Sequence, residues 1–212
     1  TSATCMPALV RGDAVFSNSA IVFMTSDVAH LGLLSSSFHR LWAAKYGSAM
    51  KSDLRYIASR CYETFPQPAD QSSVVWGSVR LASEKLNEAR RRMMLERDLG
   101  LTKLYGEVNR SDYGSDEVLE LRRLHVDLDS AVRDAYGWSN LELSHGHWET
   151  PEGERFTVSP DAKDEILDRL LELNHERYAE EVAAGLHDKK AKKSTKKRAS
   201  KKASKDQGQM DV

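Results

Sequence analysis

Six side chains between positions 40 and 60 have the chemistry needed to contact DNA. Arg and Lys bind base edges and phosphates, and Ser donates a hydrogen bond to a phosphate. Several of them surround a predicted helix end and the segment after it. In a nucleic-acid-binding protein this set would supply contacts, and otherwise each member is an ordinary solvated surface group: Arg40, Lys45, Ser48, Lys51, Arg55 and Arg60.

The same part of the chain holds five aromatic residues that could stack on bases or fill a core. Aromatic side chains at helical spacing are typical of a buried helix face. The spacing therefore favours core packing, most strongly for the first two members of the set: Phe38, Trp42, Tyr46, Tyr56 and Phe65.

The other polar residues predict neither a catalytic site nor a metal site. Asp53 and Glu63 could form a carboxylate pair, but no nucleophile or histidine accompanies them, and Asp53 is interpreted as a turn cap or a partner of Arg55. His145 and His147 flank a glycine without the spacing of a structural zinc site. No Ser-His-Asp set, Cys-His pair or phosphate-binding loop is recognisable, so no hydrolase or nucleotide-binding function follows.

Hydrophobic patterning predicts the elements that carry the candidate contacts. Residues 15–25 are rich in β-branched and aromatic side chains and predict a strand. Residues 28–46 have apolar side chains at three- and four-residue steps, which predicts one helix ending at Gly47. Alternation predicts an extended segment over residues 48–60, and prolines introduce a linker at residues 67–73.

The rest of the chain has helical patterning. Long helices are predicted over residues 74–104, 115–136 and 160–184, with a short strand at residues 155–158. Short connections between such helices favour an antiparallel bundle. The predicted fold class is therefore α+β and mainly helical: a small mixed strand-helix recognition element, then an antiparallel helical bundle and a disordered basic tail.

Charge divides the chain into unlike parts, and we predict domains at residues 1–68 and 69–187 followed by a tail at residues 188–212. Residues 84–187 hold fourteen Lys and Arg against twenty-four Asp and Glu, so this part is a poor surface for phosphates. Residues 188–212 hold ten Lys and Arg against three Asp, with no apolar pattern, which predicts disorder and non-specific attraction to nucleic acid.

Cysteine usage and hydropathy bear on the compartment. Cys5 and Cys61 lack the dense spacing of a secreted disulfide scaffold, so a reducing cytoplasm is expected. No run approaches the roughly 18 apolar residues that a membrane span needs, so no membrane partner is predicted.

A series of short motifs, in a fixed order over residues 14–185, resembles one protein family. The family is that of large adenine-specific DNA methyltransferases, comprising type IIG restriction-modification enzymes and their BREX-like relatives in phage defence. The first motifs resemble its target-recognition region, and the later ones its helical C-terminal part. The resemblance implies that the six candidate side chains between positions 40 and 60 contact double-stranded DNA. They are Phe38 and Trp42, Ser48-x-Met50, Asp53 to Tyr56, Cys61 to Pro66, Ala89 to Arg91, Leu104-Tyr105, Leu121 to His125, Asp134 to Trp138, and Leu173 to Tyr178.

The resemblance implies a recognition part without its catalytic part. Such enzymes methylate adenine with an Asn-Pro-Pro-aromatic loop and a glycine-containing site for S-adenosylmethionine, yet this sequence has no Pro-Pro dipeptide and no Gly-x-Gly. It also begins with Thr1. We therefore expect a C-terminal portion of a longer enzyme, inactive alone, which binds no cofactor itself and whose partners are double-stranded DNA and an upstream catalytic domain that uses S-adenosylmethionine.

A second hypothesis comes from a different functional class. The chain could be a non-enzymatic DNA-binding or adaptor protein, with a helical docking domain and a basic tail. An upstream reading frame encoding an Asn-Pro-Pro-aromatic motif would favour the methyltransferase hypothesis over the adaptor hypothesis.

Overall fold

The structure is a computed structural model that describes residues 6–10, 12–17, 20–50, 53–72 and 74–186. The candidate contact Lys51 and the tail predicted to be disordered, residues 188–212, lie outside the described residues. Among the described residues the chain forms two-stranded antiparallel sheets and a larger number of helices. The prediction of a mainly helical α+β fold is confirmed.

The helices are α1 (Val28–Ser35), α2 (Ser37–Tyr46), α3 (Ala58–Cys61), α4 (Val74–Glu96), α5 (Leu101–Val108), α6 (Asp116–Ala135) and α7 (Pro160–Ala183). The strands are β1 (Ser48–Met50), β2 (Asp53–Arg55), β3 (Gly146–Thr150) and β4 (Gly153–Thr157), with β1 paired to β2 and β3 paired to β4.

The strand predicted over residues 15–25 is wrong for the part of that range that the structure describes. Its described residues form no strand, and Val15 and Met24 are 99% and 96% exposed. Only Phe23 has a ring contact here, at 4.6 Å from the ring centroid of Tyr62. β-branched residues favour a strand when a neighbouring strand supplies hydrogen bonds and a packing surface, and none of the described strands pairs with this segment.

The single helix predicted over residues 28–46 is divided at Ser36. Ser36 has extended backbone, and its hydroxyl donates to the carbonyl of Leu33 at 2.7 Å while accepting from the amide of His39 at 3.4 Å. The Ser36 side chain thus satisfies backbone groups at the junction of α1 and α2. Serine competes for backbone hydrogen bonds in this way and favours caps over helix interiors.

Gly47 ends α2, as predicted, and permits a close turn into β1. Its amide donates to the carbonyl of Ala43 at 2.8 Å. A Cβ at this position would lie 2.5 Å from that carbonyl oxygen and 2.6 Å from Leu54 Cδ1, so close approach requires glycine here. The extended segment predicted after Gly47 is confirmed in β1 and β2, but residues 58–61 are helical.

The helical core is built on α4, which packs against both α1 and α6. On α4 the buried apolar side chains recur at helical spacing, including Trp76, Val79, Leu86 and Met93. Residues on both sides of position 68 contribute to one hydrophobic cluster, since Phe38, Trp42 and Phe65 belong to it with the α4 and α6 side chains.

The long helix predicted over residues 74–104 is interrupted between α4 and α5. Asp98 has a positive φ of 49°, and the amide of Leu99 donates to the carbonyl of Met94 at 3.0 Å, which closes the end of α4. Gly100 then precedes α5 with extended backbone. Asp is one of the residues that tolerates the left-handed conformation.

Helices α6 and α7 agree with prediction to within a residue or two. The Ser115 hydroxyl caps α6 by accepting from the amide of Val118 at 3.4 Å, and Gly137 follows the helix with φ of 73°. The Ser159 hydroxyl similarly accepts from the amide of Ala162 at 3.2 Å at the start of α7. The short strand predicted at residues 155–158 is found as β4, and its partner β3 was not among the predicted elements.

The chain divides into two compact units, and the boundary lies between Leu170 and Leu171. The first unit contains both hairpins and the hydrophobic cluster. The described part of the second unit is the C-terminal half of α7 and the turn after it, with Tyr178, Val182 and Leu186 exposed. None of the helices in the described residues is long and apolar enough to cross a membrane.

Candidate nucleic-acid interface

Helix α2 is the platform for the β1–β2 hairpin. Phe38 and Trp42 are buried on its inner face, and the Trp42 indole nitrogen donates to the Thr64 hydroxyl at 3.3 Å. The Phe38 ring stacks 5.7 Å from the ring of Tyr136 beyond the end of α6. Strand β1 follows α2 directly through Gly47, so its first residue is fixed by the end of the helix.

The chain that leaves the hairpin after β2 is also attached to α2, through His39. The ring nitrogen Nδ1 of His39 lies 3.2 Å from the carbonyl oxygen of Leu34, which can only accept, so Nδ1 carries the proton and donates. Nε2 is then left to accept from the Tyr56 hydroxyl at 2.9 Å. Burial lowers the pKa of His39 to about 4, which keeps this ring neutral and the arrangement intact at neutral pH.

The hairpin and helix end present basic groups to solvent. Lys45 is exposed in the last turn of α2, and Arg55 is exposed in β2 directly opposite half-buried Ser48. Arg60 is exposed at the end of α3. With the side chains that the structure describes, Lys45, Arg55 and Arg60 form no ion pair, so their charges are available to an anionic ligand.

Arg40 differs from these three residues. Its side chain is only 14% exposed and pairs with Glu152 at 3.6 Å, near Arg155, which lies 3.5 Å from the same carboxylate. Arg40 therefore joins α2 to the β3–β4 hairpin, whereas Lys45 lies in the last turn of the helix.

Core packing was predicted for five aromatic residues. Three of them are buried in the core, and two are half-buried at its surface. Phe38, Trp42 and Phe65 are buried in the hydrophobic cluster. Tyr46 is half-buried with its ring 4.2 Å from that of Trp42, and Tyr56 is half-buried with its hydroxyl bound to His39. Their contacts support the hairpin from within.

The region just described matches a known protein family. Residues 5–69 match the family model described as MmeI, target recognition domain. The resemblance to a DNA target-recognition region is confirmed. All six candidate contacts from Arg40 to Arg60 lie inside this target-recognition match.

Comparisons over a longer part of the chain agree with the family match. The chain is 29% identical over 140 residues to DNA methyltransferase A of Bacillus subtilis (strain 168), which covers 63% of this chain and 14% of that protein. A solved structure of the type IIL restriction-modification enzyme MmeI in complex with DNA has a similar fold, with a TM-score of 0.54 and 22% identity over 73% of this chain and 17% of that one. The chain thus spans about a seventh of the length of its curated relative.

One polar junction is centred on Asp129, a residue that was not singled out from the sequence. The Asp129 carboxylate, on α6, accepts from the backbone amide of Ser37 and from His145 Nε2, each at 2.8 Å. One turn before it, His125 Nε2 lies 2.7 Å from the Tyr105 hydroxyl, and burial lowers the pKa of His125 to about 4. The sequence signal for this junction is an acidic residue on a mainly apolar helix face.

The remaining candidates for chemistry have structural partners. His145 binds Asp129, and the ring of His147 lies 5.3 Å from that of Phe156. Among the described residues, no group of three His, Cys, Asp or Glu side chains is arranged to hold a metal ion. Cys61 is buried with its sulfur 3.9 Å from the carbonyl of Ala43, and burial raises the pKa of its thiol.

Proposed function

We propose that this chain contributes DNA target recognition to an adenine-specific DNA methyltransferase of a restriction-modification or phage-defence system, and that it works in the cytoplasm. The observation that carries the proposal is the target-recognition match over residues 5–69, within which a hairpin and a helix end expose basic groups. The DNA complex of the structurally similar MmeI supports DNA as the ligand.

The shape of the exposed element suits a DNA groove. A two-stranded ribbon fits the major groove of B-DNA, which is about 12 Å wide, and Arg and Lys can there bind guanine edges or neighbouring phosphates. Lys45 and Arg55 stand at the base of such a ribbon, and Lys51 lies between the two strands in the sequence. We propose that these three side chains contact the duplex, with Ser48 and Arg60 flanking them and Arg40 holding α2 in place behind them.

The helical part is proposed to support this element without lying along the DNA. Its arginines are mostly neutralised by carboxylates, as in Arg92 with Glu120 at 2.6 Å and Arg97 with Glu107 at 2.8 Å. Residues 84–187 also have an excess of acidic side chains. A negative surface of this kind would repel phosphates, so the duplex should approach the hairpin end of the first unit.

Catalysis is assigned to another part of the longer protein. A methyltransferase acting on a base must take that base out of the helical stack, and the motifs for holding adenine and S-adenosylmethionine are absent from this sequence. We propose that an upstream catalytic domain binds S-adenosylmethionine and the displaced adenine, while this chain selects the site.

The proposal is tested by measuring binding of the full chain to a pool of mixed-sequence duplexes, with fluorescence anisotropy at several salt concentrations. The variant Lys45→Ala/Arg55→Ala should bind more weakly, with a slope of log K against log salt smaller by about 2, since each phosphate contact contributes about 0.9. The matched control is Lys85→Ala/Lys103→Ala, which removes two exposed lysines from the helical part. Equal binding by the two variants would reject the hairpin as the DNA-binding element.

A second measurement addresses the methyltransferase assignment itself. Transfer of labelled methyl groups to duplex DNA is compared for this chain alone, the upstream polypeptide alone, and the two together. Activity that requires both parts supports a recognition fragment, and activity of this chain alone would contradict the assignment of catalysis to another domain. In the protein that joins this chain to the upstream part, the triple variant Lys45→Ala/Lys51→Ala/Arg55→Ala should methylate the target site more slowly without unfolding.

A further inference from the structure

The N-terminus of α2 is held by a residue far away in the sequence. Helix α2 begins at Ser37, whose amide would be unsatisfied within the helix because the first amides of any α-helix have no partner. Asp129 Oδ1 accepts from this amide at 2.8 Å, across a separation of 92 residues. The positive end of the α2 dipole and the negative carboxylate also attract one another.

The carboxylate is placed where an apolar side chain would be expected. Asp129 is 1% exposed and neighbours Leu128 on the buried face of α6. A buried carboxylate costs free energy unless its oxygens are hydrogen-bonded. Its second oxygen, Oδ2, is satisfied by His145 Nε2 at 2.8 Å, and the His145 side chain is itself only 6% exposed. One acidic side chain therefore connects α6, the N-terminus of α2 and the residue before β3.

Movement of α2 would be passed to the DNA-facing hairpin, because both ends of the hairpin are attached to that helix. Strand β1 continues from α2 through Gly47, and Tyr56, just after β2, donates to His39 of α2 at 2.9 Å. Cys61 of α3 packs against the same helix, with its sulfur 3.9 Å from the carbonyl of Ala43. The hairpin and α2 thus form one body whose N-terminal fixed point is the Asp129 contact.

We propose that Asp129 is a positioning residue, which fixes α2 against α6 and thereby sets where the β1–β2 hairpin stands for DNA recognition. The role of Asp129 in DNA recognition rests on the proposed function, whereas the mechanical coupling does not. A group in this role acts through α2 and need not touch DNA.

The sharpest test uses the donor side of the hydrogen bond. Ser37 is the first residue of α2, where proline is favoured, and Ser36 before it has φ of −72° and ψ of 159°, a conformation that a following proline accepts. The substitution Ser37→Pro therefore removes the amide that Asp129 accepts while suiting the local helix start. If the Ser37 amide contributes only to the start of α2 and not to a contact with α6, this variant should be at least as stable as the wild type.

Hydrogen exchange measured by mass spectrometry on the full chain reads out the coupling. In Ser37→Pro and in Asp129→Ala, amides of residues 38–50 and 53–55 should exchange about tenfold faster, while those of α4 keep their protection. Asp129→Asn retains an oxygen that can accept from Ser37 and should restore most of the protection. Asp127→Ala, on the exposed side of the same helix, is the matched control and should match the wild type.

Two results would overturn the coupling. The first is unchanged exchange in Ser37→Pro, and the second is equal acceleration at every amide, which would indicate general destabilisation. If Asp129→Ala does not fold, Ser37→Pro and Asp129→Asn still decide the question.

Binding of the same variants to DNA tests the link to recognition. With the coupling established, Ser37→Pro should bind mixed-sequence duplexes several-fold more weakly than the wild type, with Asp129→Asn close to the wild type. Wild-type affinity in Ser37→Pro would overturn the positioning role. A wild-type chain that binds no DNA would contradict the proposed function, and the exchange result would stand independently of it.

Discussion

The hairpin end of α2 and the long helices α4 and α6 use basic side chains in different ways. Lys45 and Arg55 are exposed and form no ion pair with the described side chains. On the long helices, Arg92 pairs with Glu120 at 2.6 Å and Arg123 pairs with Asp127 at 3.4 Å. The two regions thus differ in how much positive charge is left unpaired, and the proposed DNA contacts are expected where that charge is available.

The two regions also differ in what holds them. Helices α4 and α6 contact one another along many turns of apolar side chains. Helix α2 has ten residues and depends on a few large side chains and on polar contacts at its ends. A single change in α2 should therefore have a larger local effect than a single change on the exposed face of α4.

The largest expected effect comes from removing the main anchor of α2. Trp42→Ala should lower the free energy of unfolding by about 3–5 kcal/mol, since it leaves a cavity and removes the ring contact with Tyr46 and the hydrogen bond to Thr64. Urea unfolding followed by circular dichroism measures the change. Leu95→Ala, at an exposed site on α4, is the control and should stay within about 0.5 kcal/mol of the wild type. Equal effects of the two would remove the contrast between the regions.

Acid should weaken each region through one histidine whose pKa is lowered. His39 in α2 and His125 in α6 each have a pKa lowered by burial to about 4, against an ordinary value of 6.5. Between these values the unfolded chain binds the proton and the folded chain does not, so this stability is complete above about pH 6.5 and is lost as the pH falls towards 4. Each histidine should contribute a slope of about 1.4 kcal/mol per pH unit.

Single variants separate the two contributions. The free energy of unfolding is measured at pH 7, 6 and 5 for His39→Gln and for His125→Gln. In each variant the part of its pH dependence that comes from the histidines should be about half of that in the wild type. A slope that is unchanged in His39→Gln would show that this ring protonates in the folded state without cost. The exposed residue His175 gives a control, because His175→Gln should keep the full slope.

Local signals made α6 and α7 predictable from sequence. Their ends depend on residues that adjoin them, such as the Ser115 cap, Gly137 and the Ser159-Pro160 start. The division at Ser36 was missed because the apolar spacing continues through it, and the decisive hydrogen bonds are formed by one hydroxyl. The strand expected over residues 15–25 was wrong because composition reports β preference but not the presence of a neighbouring strand.

The candidate interface was predictable in part for a similar reason. Residue type and position were sufficient to propose Lys45 and Arg55 as contacts, and the structure places both in an exposed setting. Residue type and position did not distinguish Arg40 from Lys45 and Arg55, because the ion-pair partner of Arg40, Glu152, is distant in sequence. The Asp129 contact with Ser37 was missed for the same reason, as it joins residues 92 positions apart.

Deleting residues 188–212 should have a smaller, non-specific effect. The deletion removes ten Lys and Arg, so affinity for any duplex and its salt dependence should both fall. Preference among DNA sequences should be unchanged, since phosphate contacts carry no sequence information. Anisotropy titrations with a target duplex and a scrambled duplex measure both quantities, and a changed ratio of the two affinities would contradict a purely electrostatic role for the tail.

The smallest effect is expected from arginines whose charge is already paired. Arg92→Ala/Arg123→Ala removes two positive charges from α4 and α6, as many as Lys45→Ala/Arg55→Ala removes near the hairpin. Surface ion pairs contribute about 0–1 kcal/mol each, so folding should change little. Because the paired carboxylates Glu120 and Asp127 already reduce the positive potential there, DNA affinity should fall far less than in the hairpin variant. If both double variants lost affinity equally, net charge alone would govern binding, and the availability of Lys45 and Arg55 would have no special role.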